Sequence, residues 1–197
     1  MDKPTTYKIV RPRFTRHYDI TSPRQLYVDV SAITPGKPDL TIHNGDSDKA
    51  PIIAVSHFTK FSRQMKLGLG DPANPSSMIW EDLNREGLSA AEHGFAFTLP
   101  SGERKTFFWR RTHHHAVDGS NSSLIGSRNF KLVEESSKDI VAVFTTGSAF
   151  SRESALQINV AYGEEFELFL LAGALSLYEK VKRRRGRAAA IGGAASA

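Results

Sequence analysis

The chain has 197 residues, 40% of them hydrophobic and 24% charged, and it contains no cysteine. This composition indicates one globular domain that can bury a hydrophobic core, and the lack of cysteine excludes disulfides and thiolate metal sites. The net charge of +5 is uneven, because taking the six basic residues at positions 180–187 from the total of 26 leaves 20, against 21 acidic residues.

Residues 1–25 are predicted to form a basic N-terminal arm or a first strand. Their only acidic residues are Asp2 and Asp19. The segment has no apolar stretch of the kind found in secretory signal peptides, so we expect a cytoplasmic protein, with the membrane surface and the nucleus as alternative locations. The basic residues of this segment are Lys3, Lys8, Arg11, Arg13, Arg16 and Arg24.

Ten segments between residues 26 and 160 have the pattern of β-strands. Most of them alternate apolar and polar residues or are rich in β-branched and aromatic residues, and turn-forming residues separate them. Short strands about a dozen residues apart favour a β-sandwich or β-barrel. The predicted strands are residues 26–31, 39–43, 52–58, 64–69, 78–82, 94–99, 105–112, 129–134, 140–145 and 155–160.

Residues 164–181 are predicted to form a helix that the strands enclose. Its uncharged run, residues 168–178, has 11 residues, whereas a membrane-spanning helix needs about 20. Apolar side chains would cover its whole circumference, as in helices that are buried on all sides. Because only a barrel wider than one of about eight strands can hold a helix, we assign residues 26–181 to a wide barrel and residues 182–197 to a basic, then Ala/Gly-rich, flexible tail.

Three parts of the sequence are similar to a known family: residues 105–111 (KTFFWRR), residues 129–134 (NFKLVE) leading into 140–144 (IVAVF), and residues 164–187. In these parts the chain resembles the tubby C-terminal-like superfamily of tubby, LURP-one-related and scramblase-like proteins, and it looks closest to small fungal members. The resemblance implies a mainly β fold, a closed antiparallel barrel of roughly twelve strands around a buried hydrophobic C-terminal helix. The pattern of the residues gives about ten strands, and residues 1–25 could supply another.

The resemblance implies a non-enzymatic binding or scaffold module. Tubby domains bind phosphoinositide headgroups through basic side chains, and scramblase-like members associate with membranes. Tubby's phosphoinositide-binding residues cannot be matched one by one to this chain, so the candidate ligand-binding residues come from its two basic ends. Each basic residue near an anionic phospholipid leaflet contributes about 1 kcal/mol. The candidates are Arg11, Arg13, Arg16, Lys180, Lys182, Arg183, Arg184, Arg185 and Arg187.

The C-terminal block has a second interpretation. The run KRRRGR at residues 182–187 is also typical of nuclear localisation signals, which bind importin, and of nucleic-acid patches. No aromatic residue is interleaved with it to stack on bases, so nucleic-acid binding is not expected. Binding of a protein partner stays open.

Residues 113–119 (HHHAVDG) match the HHxxxDG pattern of CoA-dependent acyltransferases and condensation domains. In that chemistry the second histidine, His114, would act as the general base, and Asp118 would hold the local structure. Those enzymes continue with a helix after the motif, whereas this chain continues with SNSSLIGS. We therefore expect an exposed hairpin end without catalytic residues and keep the acyltransferase as the alternative.

The sequence predicts neither a metal site nor a cofactor. His113 and His115 would share one face of a strand, but two ligands without a nearby carboxylate or third histidine make a poor zinc site. Walker, GxGxxG, HExxH and GxSxG motifs are absent from the sequence. Trp80 and Trp109 lie in strand-like runs and are predicted to belong to the barrel core, with a ligand groove as the alternative.

Overall fold

The structure is a computed structural model that describes residues 3–31, 34, 36–59, 64–86, 92–112, 115–118, 129–147 and 152–194. The strands are β1 (Thr5–Val10), β2 (His17–Ser22), β3 (Leu26–Val30), β4 (Leu40–His43), β5 (Ile52–Phe58), β6 (Met65–Leu69), β7 (Ile79–Arg85), β8 (Glu92–Thr98), β9 (Arg104–Arg111), β10 (Phe130–Glu134), β11 (Ile140–Thr146) and β12 (Glu153–Ile158). A 3-10 turn at Pro75–Ser77 precedes β7, and the helix α1 (Glu164–Ala194) follows β12.

The twelve strands form a closed antiparallel barrel in which each strand pairs with its neighbours in sequence. Closure comes from β1 and β12, which pair from Thr5 opposite Ile158 to Val10 opposite Glu153. This pairing satisfies the backbone groups of two strands that would otherwise be sheet edges. The predicted fold class, a mainly β protein with a twelve-stranded antiparallel barrel and a C-terminal helix, is confirmed.

All ten strands predicted from residues 26–160 are present, with ends that differ by at most three residues. The alternation that predicts them reflects the two faces of the barrel wall. In β3, for example, Leu26, Val28 and Val30 are buried, and the two residues between them are half-exposed. The apolar face of the wall therefore points toward the barrel axis.

The first 25 residues contain two strands, β1 and β2, where the sequence predicts a basic arm or one strand. Only Tyr7 and Ile9 are buried in β1, and only Tyr18 and Ile20 in β2. Two buried apolar positions among six residues make a weak alternation, which explains why the pattern does not reveal both strands. The prediction for this segment is corrected to a hairpin that forms part of the barrel wall.

The apolar part of α1 is enclosed on all sides. Every residue from Leu168 to Leu177 is buried, and Leu171 has no exposed surface. Aromatic rings of the wall pack on the helix: the Phe97 ring centroid lies 5.4 Å from that of Phe166 and 5.1 Å from that of Phe169. The buried C-terminal helix predicted from the apolar circumference is confirmed.

Polar contacts fix the depth and rotation of α1 inside the barrel. Near the start of the helix, the Tyr7 hydroxyl donates to Glu167 Oε2 at 2.9 Å. Further along, the hydroxyl oxygens of Ser176 and Ser56 are 2.8 Å apart. Where the helix leaves the barrel, the Tyr18 hydroxyl donates to Glu179. A buried polar group without a partner costs about 1–3 kcal/mol, so these contacts favour one position of the helix.

The helix continues beyond the predicted end at residue 181, as far as Ala194. Residues 182–194 are therefore helical, which differs from the predicted flexible tail. Lysine, arginine and alanine are strong helix formers, and they outnumber the three glycines of this stretch, Gly186, Gly192 and Gly193, which cost about 1 kcal/mol each. Residues 184–190 are exposed, so this part of α1 projects from the barrel. Within the described ranges, no helix is long and apolar enough to cross a membrane.

The two tryptophans lie on opposite faces of the wall. Trp109 is 1% exposed and packs on α1, where its Nε1 would be 3.3 Å from a Cβ added at Gly173. Its predicted core position is confirmed. Trp80 lies on the outer face, over Gly68, where an added Cβ would come within 2.7 Å of the indole ring. The core prediction for Trp80 is wrong, because its position alternates with that of the buried Leu83.

The enclosed helix leads to a stability prediction. Replacing Leu171 with alanine leaves a cavity in the barrel centre, and we expect the free energy of unfolding to fall by about 2–5 kcal/mol. Urea denaturation of wild type and variant measures this loss. As a control, the exposed Arg187 replaced by alanine should change stability by no more than about 0.5 kcal/mol. Equal unfolding midpoints for the Leu171 variant and wild type would contradict the enclosed helix.

Candidate functional site

One end of the barrel gathers the connections that follow the odd-numbered strands, because consecutive strands alternate in direction. The helix leaves the barrel at this end. Arg11 contacts Glu179 of α1 at 3.1 Å, and Arg183 NH2 donates to the Ser31 carbonyl oxygen at 2.7 Å. We call this region the basic end, and it comprises residues 11–16, 31, 34, 36–39, 111, 152 and 179–190.

The fold brings together the two predicted basic clusters. Residues 11–16 and 179–187 are far apart in sequence, yet both lie at the basic end. The other basic residues of the N-terminal segment do not join them. Lys8 points outward from the middle of β1, and Arg24 lies 3.8 Å from Glu164 at the opposite end. The structure therefore unites Arg11, Arg13 and Arg16 with the C-terminal block.

Three of the candidate residues hold the helix to the rim of the barrel. Arg11 and Lys182 contact Glu179 Oε1 at 3.1 and 3.2 Å, and this carboxylate is only 4% exposed. Arg183 forms an ion pair with Asp39 and lies over the Phe58 ring at 4.7 Å from its centroid. Because each of these three side chains already contacts a carboxylate, they hold the helix to the barrel rather than present an unpaired cation.

Other candidate residues point into solvent. Arg13, Arg16, Arg184, Arg185 and Arg187 are exposed. Within the part of the chain that the structure describes, Arg13, Arg16, Arg184 and Arg187 make no ion pair. These four guanidinium groups can therefore meet an external anion without first breaking a contact with a carboxylate.

The opposite end of the barrel carries mostly acidic side chains. Its connections follow the even-numbered strands and include the start of α1. Acidic residues on these connections are Asp46, Asp48, Asp71, Glu103, Glu135, Asp139, Glu164 and Glu165, whereas the basic ones are Arg24, Lys49 and Lys138, to which Lys3, just before β1, adds a fourth at this end. The barrel is thus electrically polarised along its axis, and the acidic residues in the first turn of α1 interact favourably with the helix dipole.

Lys180 and His93 lie deeper at the basic end. Burial lowers the pKa of Lys180, whose Nζ is 3.5 Å from the Gln64 carbonyl oxygen. Burial, together with the nearby charges of Lys180 and Arg111, lowers the pKa of His93 to about 4. His93 is therefore neutral at pH 7. Lys180 is half-buried, so it is less accessible to a ligand than the exposed arginines.

Val117 and Asp118 of the HHxxxDG segment contact the outside of the barrel wall. His113 and His114 lie outside the described residues, so the structure does not place the candidate general base. The Asp118 amide donates to Gln157 Oε1 at 2.8 Å, and its carboxylate accepts from Gln157 Nε2 at 2.9 Å. Val117 is 6% exposed, and its amide donates to Thr145 Oγ1. Most of the predicted exposed hairpin end lies outside the described residues, and of those described Val117 contacts β11 and Asp118 contacts β12.

The described residues contain no group of three or more His, Asp or Glu side chains that could hold a metal ion. A groove of about 530 Å³ lies on the outer wall between β6 and β9, with Trp80 and Phe108 among its lining residues. Arg104 crosses this groove to form two hydrogen bonds with Glu81, at 2.7 and 2.9 Å. The groove is far less basic than the barrel end, since its charged side chains are of both signs.

Sequence reasoning does not identify three exposed residues of the basic end: Phe14, Arg111 and Arg152. The Arg152 carbonyl oxygen accepts a hydrogen bond from the Arg11 amide at 3.0 Å, which places it beside the β1–β2 connection. The alternating strand directions could have predicted that Arg111 and Arg152 lie at this end. Arg111 ends an odd-numbered strand, and Arg152 directly precedes an even-numbered one. This prediction is possible only when β1 and β2 are known.

No protein-family model, curated protein or solved structure matches this chain.

The low pKa of His93 predicts a contribution to stability that depends on pH. The unfolded chain binds a proton near pH 6.5 and the folded chain only near pH 4, so acidification between these values favours unfolding. Replacing His93 with glutamine removes this acid-induced loss of stability, which amounts to up to about 3 kcal/mol. Urea denaturation at pH 7.5 and pH 4 should show a smaller loss of stability for the variant. Equal losses of stability in the two proteins would contradict a half-buried imidazole that stays neutral.

Proposed function

We propose that this protein is a non-enzymatic binding or scaffold module of the tubby-like type, which attaches to anionic phospholipid membranes through its basic end. The observation that carries the proposal is the convergence of two distant basic clusters at one end of a polarised barrel. An anionic surface attracts that end and repels the acidic end, so the charge distribution would also orient the protein.

The exposed arginines supply the binding free energy. Arg13, Arg16, Arg184 and Arg187 are exposed and form no ion pair in the described part of the chain. With about 1 kcal/mol for each cation near an anionic leaflet, they would contribute about 4 kcal/mol together. This is enough for reversible attachment, and salt would weaken it because exposed charges are screened beyond about 10 Å at 0.1 M ionic strength.

The packing of the interior supports binding at the surface rather than catalysis in a pocket. The residues of α1 from Leu168 to Leu177 are buried against the wall and fill the barrel axis. A ligand would therefore meet the outside of the protein. Guanidinium groups favour phosphate oxygens, which both bulk anionic phospholipids and phosphoinositides provide.

A charge-reversal experiment tests which end binds. We expect the double substitution Arg184→Glu and Arg187→Glu to weaken binding to phosphatidylserine vesicles by about ten- to a hundredfold, because it replaces attraction with repulsion. The double substitution Lys3→Glu and Lys49→Glu changes the net charge equally but lies at the acidic end, so its binding should stay near that of wild type. Co-sedimentation with vesicles at low and high salt gives the affinities.

The vesicle composition separates the possible ligands. Neutral phosphatidylcholine vesicles should bind no variant, and vesicles with a phosphoinositide at the same total charge show whether a particular headgroup is preferred. Equal weakening by both double substitutions would mean that net charge, not the basic end, controls binding. If wild type bound DNA but no anionic vesicle, the partner of the basic end would be a nucleic acid rather than a membrane.

A further inference from the structure

The β1–β2 connection at the basic end exposes an aromatic ring completely. Among the described residues, the exposed large hydrophobic side chains are Phe14, at 101%, and Ile79, at 44%. Phe14 lies between the exposed Arg13 and Arg16, whereas Ile79 lies at the start of β7, at the acidic end. An apolar ring in water is unfavourable, so full exposure between two cations indicates an external partner.

The connection is held in shape by hydrogen bonds rather than left loose. Arg11 Nε and NH2 donate to the Thr15 carbonyl oxygen at 3.3 and 3.1 Å, and Thr15 Oγ1 donates to the Pro12 carbonyl oxygen at 3.0 Å. Arg11 is itself bound to Glu179 of α1. The loop that carries Phe14 is thereby tied to the helix that carries Arg184 and Arg187.

The backbone at Phe14 is strained. Its φ of 61° is in the left-handed region, which a bulky side chain rarely adopts. Such strain persists where the surrounding contacts determine the conformation, and it concentrates at functional positions. The ring of Phe14 points away from the protein, so its packing within the fold does not offset the strain of the backbone.

We propose that Phe14 inserts its ring into the interface of an anionic bilayer while Arg13 and Arg16 bind phosphate groups of the lipids. This inference depends on the proposed function, which it deepens by separating two roles at the basic end. The arginines supply long-range attraction, and the ring supplies a short-range apolar contact that salt does not screen. An amphipathic arrangement of this kind places the ring below the headgroups and the cations among them.

Affinity measurements test the two roles. Phe14→Ala should weaken binding to phosphatidylserine vesicles by about tenfold, and the loss should persist at high salt. Phe14→Gly should weaken binding as much but raise the melting temperature, because glycine adopts the left-handed conformation without strain. The matched control Ile79→Ala should bind as wild type does. Unchanged vesicle binding by both Phe14 variants would overturn the insertion.

Fluorescence tests whether the ring enters the bilayer. The Phe14→Trp variant is made in a chain with Trp80 replaced by phenylalanine. We expect its fluorescence emission to shift to the blue when vesicles are added and to be quenched by brominated acyl chains. Ile79→Trp in the same background should show neither effect. If the vesicle-bound protein showed no quenching, whether or not its emission shifted to the blue, the proposed insertion would be wrong. Membrane attachment itself would still be supported. If wild type failed to sediment with anionic vesicles, the proposed function itself would be wrong.

Discussion

The structure depends on one constraint, a helix that is apolar around its whole circumference and has to be removed from water on every side. A flat sheet covers only one face of a helix, and a small barrel is filled by its own side chains. Twelve strands closed by the pairing of β1 with β12 surround the helix completely. Wall residues such as Phe97 and Trp109 fill the space between strand and helix, so the core belongs to neither element alone.

The same helix links the core to the surface charge. Its buried part is fixed by Tyr7 at one end and Tyr18 at the other, and its basic part begins where the barrel ends. Glu179 lies at this transition, where it accepts contacts from both Arg11 and Lys182. Because these contacts join the N-terminal hairpin to the C-terminal helix, the position of the exposed arginines is set by the packing of the barrel interior.

The barrel and its helix could be predicted because they follow from local patterns, alternation in the strands and apolar residues in every direction of α1. β1 and β2 each have only two buried apolar residues, and α1 continues through Gly186, Gly192 and Gly193 to Ala194, so glycine does not mark its end. The candidate site depends on topology. Which basic residues meet, and which are already bound to Glu179 or Asp39, follows from strand direction rather than from spacing in the sequence.

The position of the helix after the twelfth strand has a consequence for synthesis on the ribosome. Until β12 and residues 164–177 have emerged, β1 lacks the partner that closes the wall, and nothing fills the space between the strands. The inner faces of the strands stay exposed throughout this time. The wall of this barrel therefore closes only after β12 and α1 have been synthesised, and chaperones that shield apolar strands can bind the nascent chain until then.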